Sequence, residues 1–247
     1  MRKQVEKRTY AGQTLDIDCF PAITHRTGGF DKARPRFAND EERAEHRRGI
    51  SRRRNAQLVN ENCTPTGWYC TLTYDQGHEA HTFAEAKRDR RNFVRAIQRR
   101  CKDAKLFIYV GRGKNTRRIH FHMIAQDIDD ATIRECWKYG NVDHIEHLRE
   151  ECRDAQGRSI GRDYTALANY CFDHWTEEIG GHYYFHTNNL REPVVEELRE
   201  CEQDYSTGII PEAPVGYELI SVKSTNYGYL HFHFARREHR DQMVLQL

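Results

Sequence analysis

In Arg117-Arg118-Ile119-His120-Phe121-His122-Met123-Ile124, apolar and polar residues alternate, the pattern of a strand with one wet face. His120 and His122 are separated by one residue and so leave the same face of the sheet. A rigid strand thereby presents two neutral nitrogen donors side by side, the start of a divalent-metal site. Arg117 and Arg118 stand just before them, where a phosphate could be held. The same letters also fit a strand whose two polar residues merely face solvent. His231-Phe232-His233 repeats the pattern without a basic lead-in, so the pattern alone does not make a site.

Charge around this stretch is sharply segregated. The chain has 247 residues and a net charge of +2. Residues 87–118 nevertheless carry +11, and residues 127–218 carry −13. A concentrated positive block leading into a histidine pair suits a polyanion with phosphates to be bound. The acidic half argues against a protein that coats DNA along its whole length. No apolar run approaches the ~18–20 residues that span a bilayer. The N-terminus leads into no apolar core, so no secretory signal is expected and the protein is placed in the cytoplasm. Eight cysteines are scattered without a CxxC pair. They read as free thiols in a reducing compartment, and a structural zinc site is not expected.

Residues 1–40 lack periodicity and read as an arm with little structure of its own. Residues 40–60 read as a helix capped by Asp40, with acids first and arginines later, in line with the helix dipole. Residues 68–74 read as an aromatic strand, with Trp68 and Tyr69 in the core. Phe83 to Cys101 reads as an amphipathic helix with a basic outer surface. Leu106–Val110 and the His-Phe-His strand follow and read as an antiparallel pair. Asp129 opens a short helix, and Asn141–His147 is a further strand. Asp163 is placed as the cap of a helix from Tyr164 to Trp175, whose stripe is Tyr164, Leu167, Ala168, Cys171 and Trp175. Tyr170 and His174 lie on another face of it. Glu192–Glu202 reads as a surface helix. Tyr217–Lys223 and Tyr229–Phe234 read as a hairpin closed around Asn226-Tyr227-Gly228. The division expected is a basic arm and helix over 1–60, a core over 61–180 and an acidic extension with a terminal hairpin over 181–247.

Three elements stand in order: Leu72-Thr73-Tyr74, Arg118-Ile119-His120-Phe121-His122, and Ala168-Asn169-Tyr170-Cys171-Phe172. A metal on His120 and His122 would polarise a phosphate, and a tyrosine could attack it. A phenol of pKa near ~10 needs help from the metal, a base or nearby cations. The order and spacing resemble the HUH superfamily of single-strand DNA endonucleases. Within it the likeness is to rolling-circle replication initiators of plasmids and of small and filamentous phages, and it covers roughly residues 45–180.

The resemblance implies an α+β, ferredoxin-like fold on a central antiparallel sheet with helices packed on it. It implies Mg²⁺ or Mn²⁺, nicking of single-stranded origin DNA through a 5′-phosphotyrosine, and rejoining after replication. Tyr170 is the nucleophile candidate. Tyr164 competes, but lies on the apolar stripe. His174 is a candidate to orient or protonate. Asp173 stands where such initiators often have a lysine. They usually have an acidic metal ligand on the strand before the histidines, and Tyr109–Gly113 has none, which leaves His144 and Glu146 as candidates or a site completed by water. Arg112, Lys114, Arg117, Arg118, Arg95 and Arg99 are candidates for holding DNA phosphates. Gly111-Arg112-Gly113-Lys114 is not a phosphate loop, since the first glycine and the final Ser/Thr are missing. A host helicase would therefore be a partner. Two rivals stay open: a non-catalytic nucleic-acid-binding protein, and a tyrosine transposase of the same superfamily.

Overall fold

The computed structural model describes residues 4–24, 30–32, 37–113, 117–154, 156–174, 184–225 and 228–237. Among these are four helices and two antiparallel sheets, an α+β architecture consistent with a ferredoxin-like arrangement. The chain divides into two units. One holds residues 1–61, 151–163 and 192–247; the other holds 62–150 and 164–191. No helix among the described residues is long and apolar enough to cross a membrane.

The second unit carries a five-stranded sheet. In chain order its elements are β4 (Trp68–Thr73), α2 (Phe83–Arg100), β5 (Lys105–Arg112), β6 (Ile119–Gln126), α3 (Asp130–Cys136), β7 (Val142–His147), α4 (Thr165–Asp173) and β8 (Tyr184–His186). The strand order is β7-β4-β6-β5-β8, so the His-Phe-His strand β6 lies at the centre. Alternation gives the sheet two unlike faces. Cys70 and Leu72, Leu106 and Ile108, and Ile119, Phe121 and Met123 form one buried cluster with Phe93, Val94 and Ile97 of α2 and Ile133 of α3. Both helices therefore cover that face. Burial of each such side chain stabilises the fold by ~1.5–3 kcal/mol. α2 begins in a capping box between Thr82 and Glu85. Asp129 caps α3 by accepting from Thr132 N at 2.7 Å.

In the first unit, β1 (Gln4–Ala11), β2 (Thr14–Thr24), β3 (Phe30–Lys32), β9 (Val194–Val195), β10 (Arg199–Glu200), β11 (Tyr217–Ser224) and β12 (Leu230–Arg236) form a seven-stranded sheet, with the helix α1 (Asp40–Asn62). Its order is β10-β1-β2-β12-β11. Leu15, Ile17 and Cys19 pack with Phe232, Phe234 and Tyr205 on one face.

Several expectations are corrected. Residues 4–24 are two full strands, not an unstructured arm, because the aspartates that made the segment look like loop find partners far along the chain. β1 and β2 meet at Gly12, whose φ of +58° suits glycine. A Cβ there would collide with the Asn60 carbonyl, so α1 fits closely over the turn. The α1 cap is Asn39, whose Oδ1 accepts from Glu42 N at 2.8 Å, and Asp40 is already inside the helix. Asp163 does not cap α4, which starts after Tyr164 without a side-chain cap. Residues 192–202 contain the short strands β9 and β10 rather than a helix. The C-terminal hairpin is present as β11 and β12, and Asn226 and Tyr227 of its turn lie outside the described residues.

Candidate functional site

β6 is bordered on both sides, and the register fixes what surrounds each imidazole. Thr71 of β4 and Tyr109 of β5 stand opposite His122; Thr73 and Gly111 stand opposite His120. Directly opposed residues share a face. Tyr69, Thr71 and Thr73 therefore line the same side of the sheet as the histidines, away from α2 and α3. α4 brings two further rings to that side. The His122 and His174 centroids are 4.5 Å apart, those of Tyr170 and His174 are 4.2 Å apart, and those of His122 and Tyr170 are 5.6 Å apart. His120 and His122 are 5.0 Å apart. Tyr170 is 50% exposed. Tyr164 is 2% exposed, and its hydroxyl donates to the Arg149 carbonyl at 3.0 Å, which ties it into the fold.

Each imidazole is held from its Nδ1 side. His174 Nδ1 lies 2.8 Å from the Tyr170 carbonyl, so that nitrogen carries the proton and Nε2 keeps its lone pair. His122 Nδ1 lies 2.9 Å from the Tyr69 hydroxyl and 3.4 Å from Thr71 Oγ1. His120 Nδ1 lies 3.4 Å from the Arg118 carbonyl. Metal-binding histidines characteristically have an outer partner of this kind. His122 Nε2 is buried without a hydrogen-bond partner. A lone pair left so inside a protein calls for an acceptor of electrons. Burial first, then the neighbouring His120 and His174, lowers the His122 pKa to about 3. Burial likewise lowers that of His120. Both rings are thus neutral donors near neutral pH. Burial pushes the Tyr69 phenol up, so it stays a phenol and can accept from His122 Nδ1.

These observations fit a divalent cation. Three imidazoles suit Mn²⁺ and later first-row ions better than oxygen-seeking Mg²⁺. As the rings stand, their donor atoms are not gathered within 4.8 Å of one another, so sharing one ion requires side-chain rotation. Gly111 leaves room for that. A Cβ at 111 would sit 3.0 Å from His120 Nε2 and 3.3 Å from its Cε1. Gly111→Ala is expected to weaken Mn²⁺ binding by about tenfold while the chain stays folded, as read by titration calorimetry and circular dichroism. Unchanged affinity would mean that the bare strand edge does not position His120.

Other candidate residues fall elsewhere. His144 and Glu146 are exposed on β7, which β4 separates from β6. His144 has a φ of 50° where the β4–β7 register shifts. Arg118 donates to the Tyr74 carbonyl at 2.9 Å and pairs with Glu79. The Arg112 guanidinium lies 5.1 Å from the Phe83 ring centroid, and Arg117 is exposed with φ 53°. Arg95 and Arg99 project from α2, on the opposite face of the sheet from the imidazoles. The basic helix therefore does not border the histidine pair. Lys114 lies outside the described residues. Trp68 stacks on His147 at 3.6 Å between centroids, whereas Tyr69 serves His122. Sequence reasoning missed Tyr69 as a histidine partner. Its alternation with Thr71 and Thr73 carried the signal, once the β4–β6 register is known.

Among the described residues, two groups of three place potential ligand atoms within 4.8 Å of one another: Glu6, Cys19 and Cys201, and Asp16, His231 and His233. The second answers to the repeated His-Phe-His. His233 Nδ1 lies 2.7 Å from Asp16 Oδ1 and its Nε2 lies 2.9 Å from Asp163 Oδ2. Burial alone would lower the His233 pKa, but hydrogen bonds to Asp16 and Asp163 raise it to about 10. Burial would raise that of Asp16, yet the bonds and charge of His233 bring it to about 2.

No curated protein and no solved structure matches the chain. Residues 67–161 match the family model of replication-associated proteins of the ORF2 and gene-2-protein type. The matched stretch spans β4 to β7 with both histidines of β6, and it supports a likeness to replication-associated initiator proteins.

Proposed function

We propose that this protein initiates DNA replication by nicking and rejoining one strand, with Tyr170 as nucleophile and Mn²⁺ held by His120, His122 and His174. The observation that carries this reading is the packing of the Tyr170 and His174 rings against His122, beside its partnerless buried Nε2. A divalent cation bound there would supply Lewis-acid polarisation of the scissile phosphate. The Tyr170 oxygen attacks phosphorus in line and gives up its proton to solvent. The bond to the 3′ oxygen breaks, and that oxygen leaves with the electron pair and takes up a proton. The product is a 5′-phosphotyrosine and a free 3′ hydroxyl. Attack by a 3′ hydroxyl on the same phosphorus reverses the step and rejoins the strand. Tyr69 orients His122, and the Tyr170 carbonyl orients His174. Arg95 and Arg99 hold phosphates of flanking DNA away from the cleavage pocket.

The test uses labelled single-stranded oligonucleotides and a denaturing gel that retains the covalent band. Half-maximal adduct formation is expected at lower Mn²⁺ than Mg²⁺ concentration. His174→Ala should raise the Mn²⁺ requirement about 10–100-fold. An unchanged requirement would remove His174 from the metal. A shift in native gels with no adduct under any metal, on origin or other sequences, would leave a DNA-binding protein without nuclease activity.

A further inference from the structure

The seven-stranded sheet carries a second pair of histidines whose surroundings differ from the first. His231 and His233 stand directly opposite Asp18 and Asp16 across the β2–β12 pair. All four side chains are buried. They lie on the face away from Ile17 and Phe232, where α1 supplies Gln57 and Arg53.

The hydrogen bonds sort these groups into inner and outer partners. His231 Nδ1 lies 2.9 Å from Asp18 Oδ1, so the proton sits there and Nε2 faces Asp16 Oδ1 at 3.6 Å with a lone pair. His233 Nε2 lies 2.9 Å from Asp163 Oδ2, which leaves Nδ1 facing the same Asp16 oxygen at 2.7 Å. Asp16 gives its other oxygen, Oδ2, to Gln57 Nε2 at 2.6 Å. Asp18 is in turn held by Arg53 at 2.7 Å. Three donor atoms thus converge, and each donor side chain is fixed from behind. Two of the fixings are carboxylate–histidine pairs of the kind that orient histidines on zinc. A tetrahedral zinc with bonds of ~2.0–2.1 Å separates its ligands by roughly 3.3 Å, which the two observed gaps bracket.

We propose that Asp16, His231 and His233 hold a structural divalent cation of the zinc class, bound to Asp16 Oδ1, His231 Nε2 and His233 Nδ1. Two imidazoles and one carboxylate select zinc over magnesium or calcium. Binding displaces the proton between His233 and Asp16 into solvent. The cation ties β2 to β12, strands from opposite ends of the sequence, and zinc replaces the histidine–carboxylate contact as the tie. Cysteine spacing gave no sign of such a site because no cysteine takes part.

The experiment uses the full chain carrying His120→Ala and His122→Ala, which silences the other histidine pair. After stripping with a chelator and desalting, this variant is expected to take up one equivalent of Zn²⁺. With Co²⁺ it should show the visible absorption of a tetrahedral site. Adding His231→Gln should weaken Zn²⁺ binding at least about 100-fold. His231→Cys gives a positive signal in case the glutamine variant unfolds: a sulfur-to-cobalt charge-transfer band that the parent lacks. The proposal is overturned if the folded double-alanine variant takes up no Zn²⁺. It is equally overturned if uptake is indifferent to His231→Gln, or if folded His231→Cys shows no sulfur–cobalt band.

Discussion

Tyr170→Phe is expected to abolish the covalent protein–DNA adduct while leaving the affinity for single-stranded DNA within about twofold. The phenyl ring keeps its packing on His174 and His122, and only the attacking oxygen is lost. Losing a nucleophile removes the chemical step, on the order of 10⁴–10⁶ in rate. Half of Tyr170 is already exposed, so stability should change by less than ~0.5 kcal/mol. A labelled oligonucleotide, Mn²⁺ and a denaturing gel read the result. Adduct formation in the phenylalanine variant would move the nucleophile away from α4. Tyr164 is a poor substitute, since its hydroxyl is committed to the Arg149 carbonyl.

His233→Ala should be the most destabilising single change in the chain. It leaves the buried carboxylates of Asp16 and Asp163 without their shared partner, at a cost of about 3–5 kcal/mol. Urea denaturation of chelator-treated protein measures it, and a loss under ~1 kcal/mol would show that the contact is not tight in solution. The same contact sets a pH dependence in the chelated protein. His233 is raised from 6.5 to about 10, so its contribution is complete below pH 6.5 and is lost as pH rises through about 10. Asp16 is lowered from 3.8 to about 2, so its contribution is complete above pH 3.8 and is lost as pH falls through about 2. Stability should therefore be flat between these limits and fall on either side. In the His233→Ala variant the alkaline fall should disappear.

The two halves of the molecule were unequally legible. The five-stranded sheet could be read because its signals are local: period-two alternation in β4 and β6, an apolar stripe on α2, and a box of Thr82 and Glu85. The neighbours of His122 needed register, which no local pattern supplies; Tyr69 and Thr71 become its partners only when β4 and β6 are paired. The side of the sheet taken by α2 was likewise hidden, so a basic helix close in sequence to the histidines reads as close in space. The seven-stranded sheet was misread at its start for a related reason. Asp16 and Asp18 look like loop residues, and their partners lie 217 and 213 positions away. Asp163 looks like a helix cap, but its carboxylate is taken by His233, 70 residues on.

That separation has a consequence during synthesis. At ~5–20 residues per second, a ribosome that has made Asp18 needs roughly 10–40 s before His231 exists. For that interval β2 has β1 on one flank and an open edge on the other, with two aspartates along it. Open edges invite pairing with other chains, and inward-pointing charges are one of the ways such pairing is discouraged. Until β12 emerges, Asp16 and Asp18 guard the nascent sheet against the wrong strand.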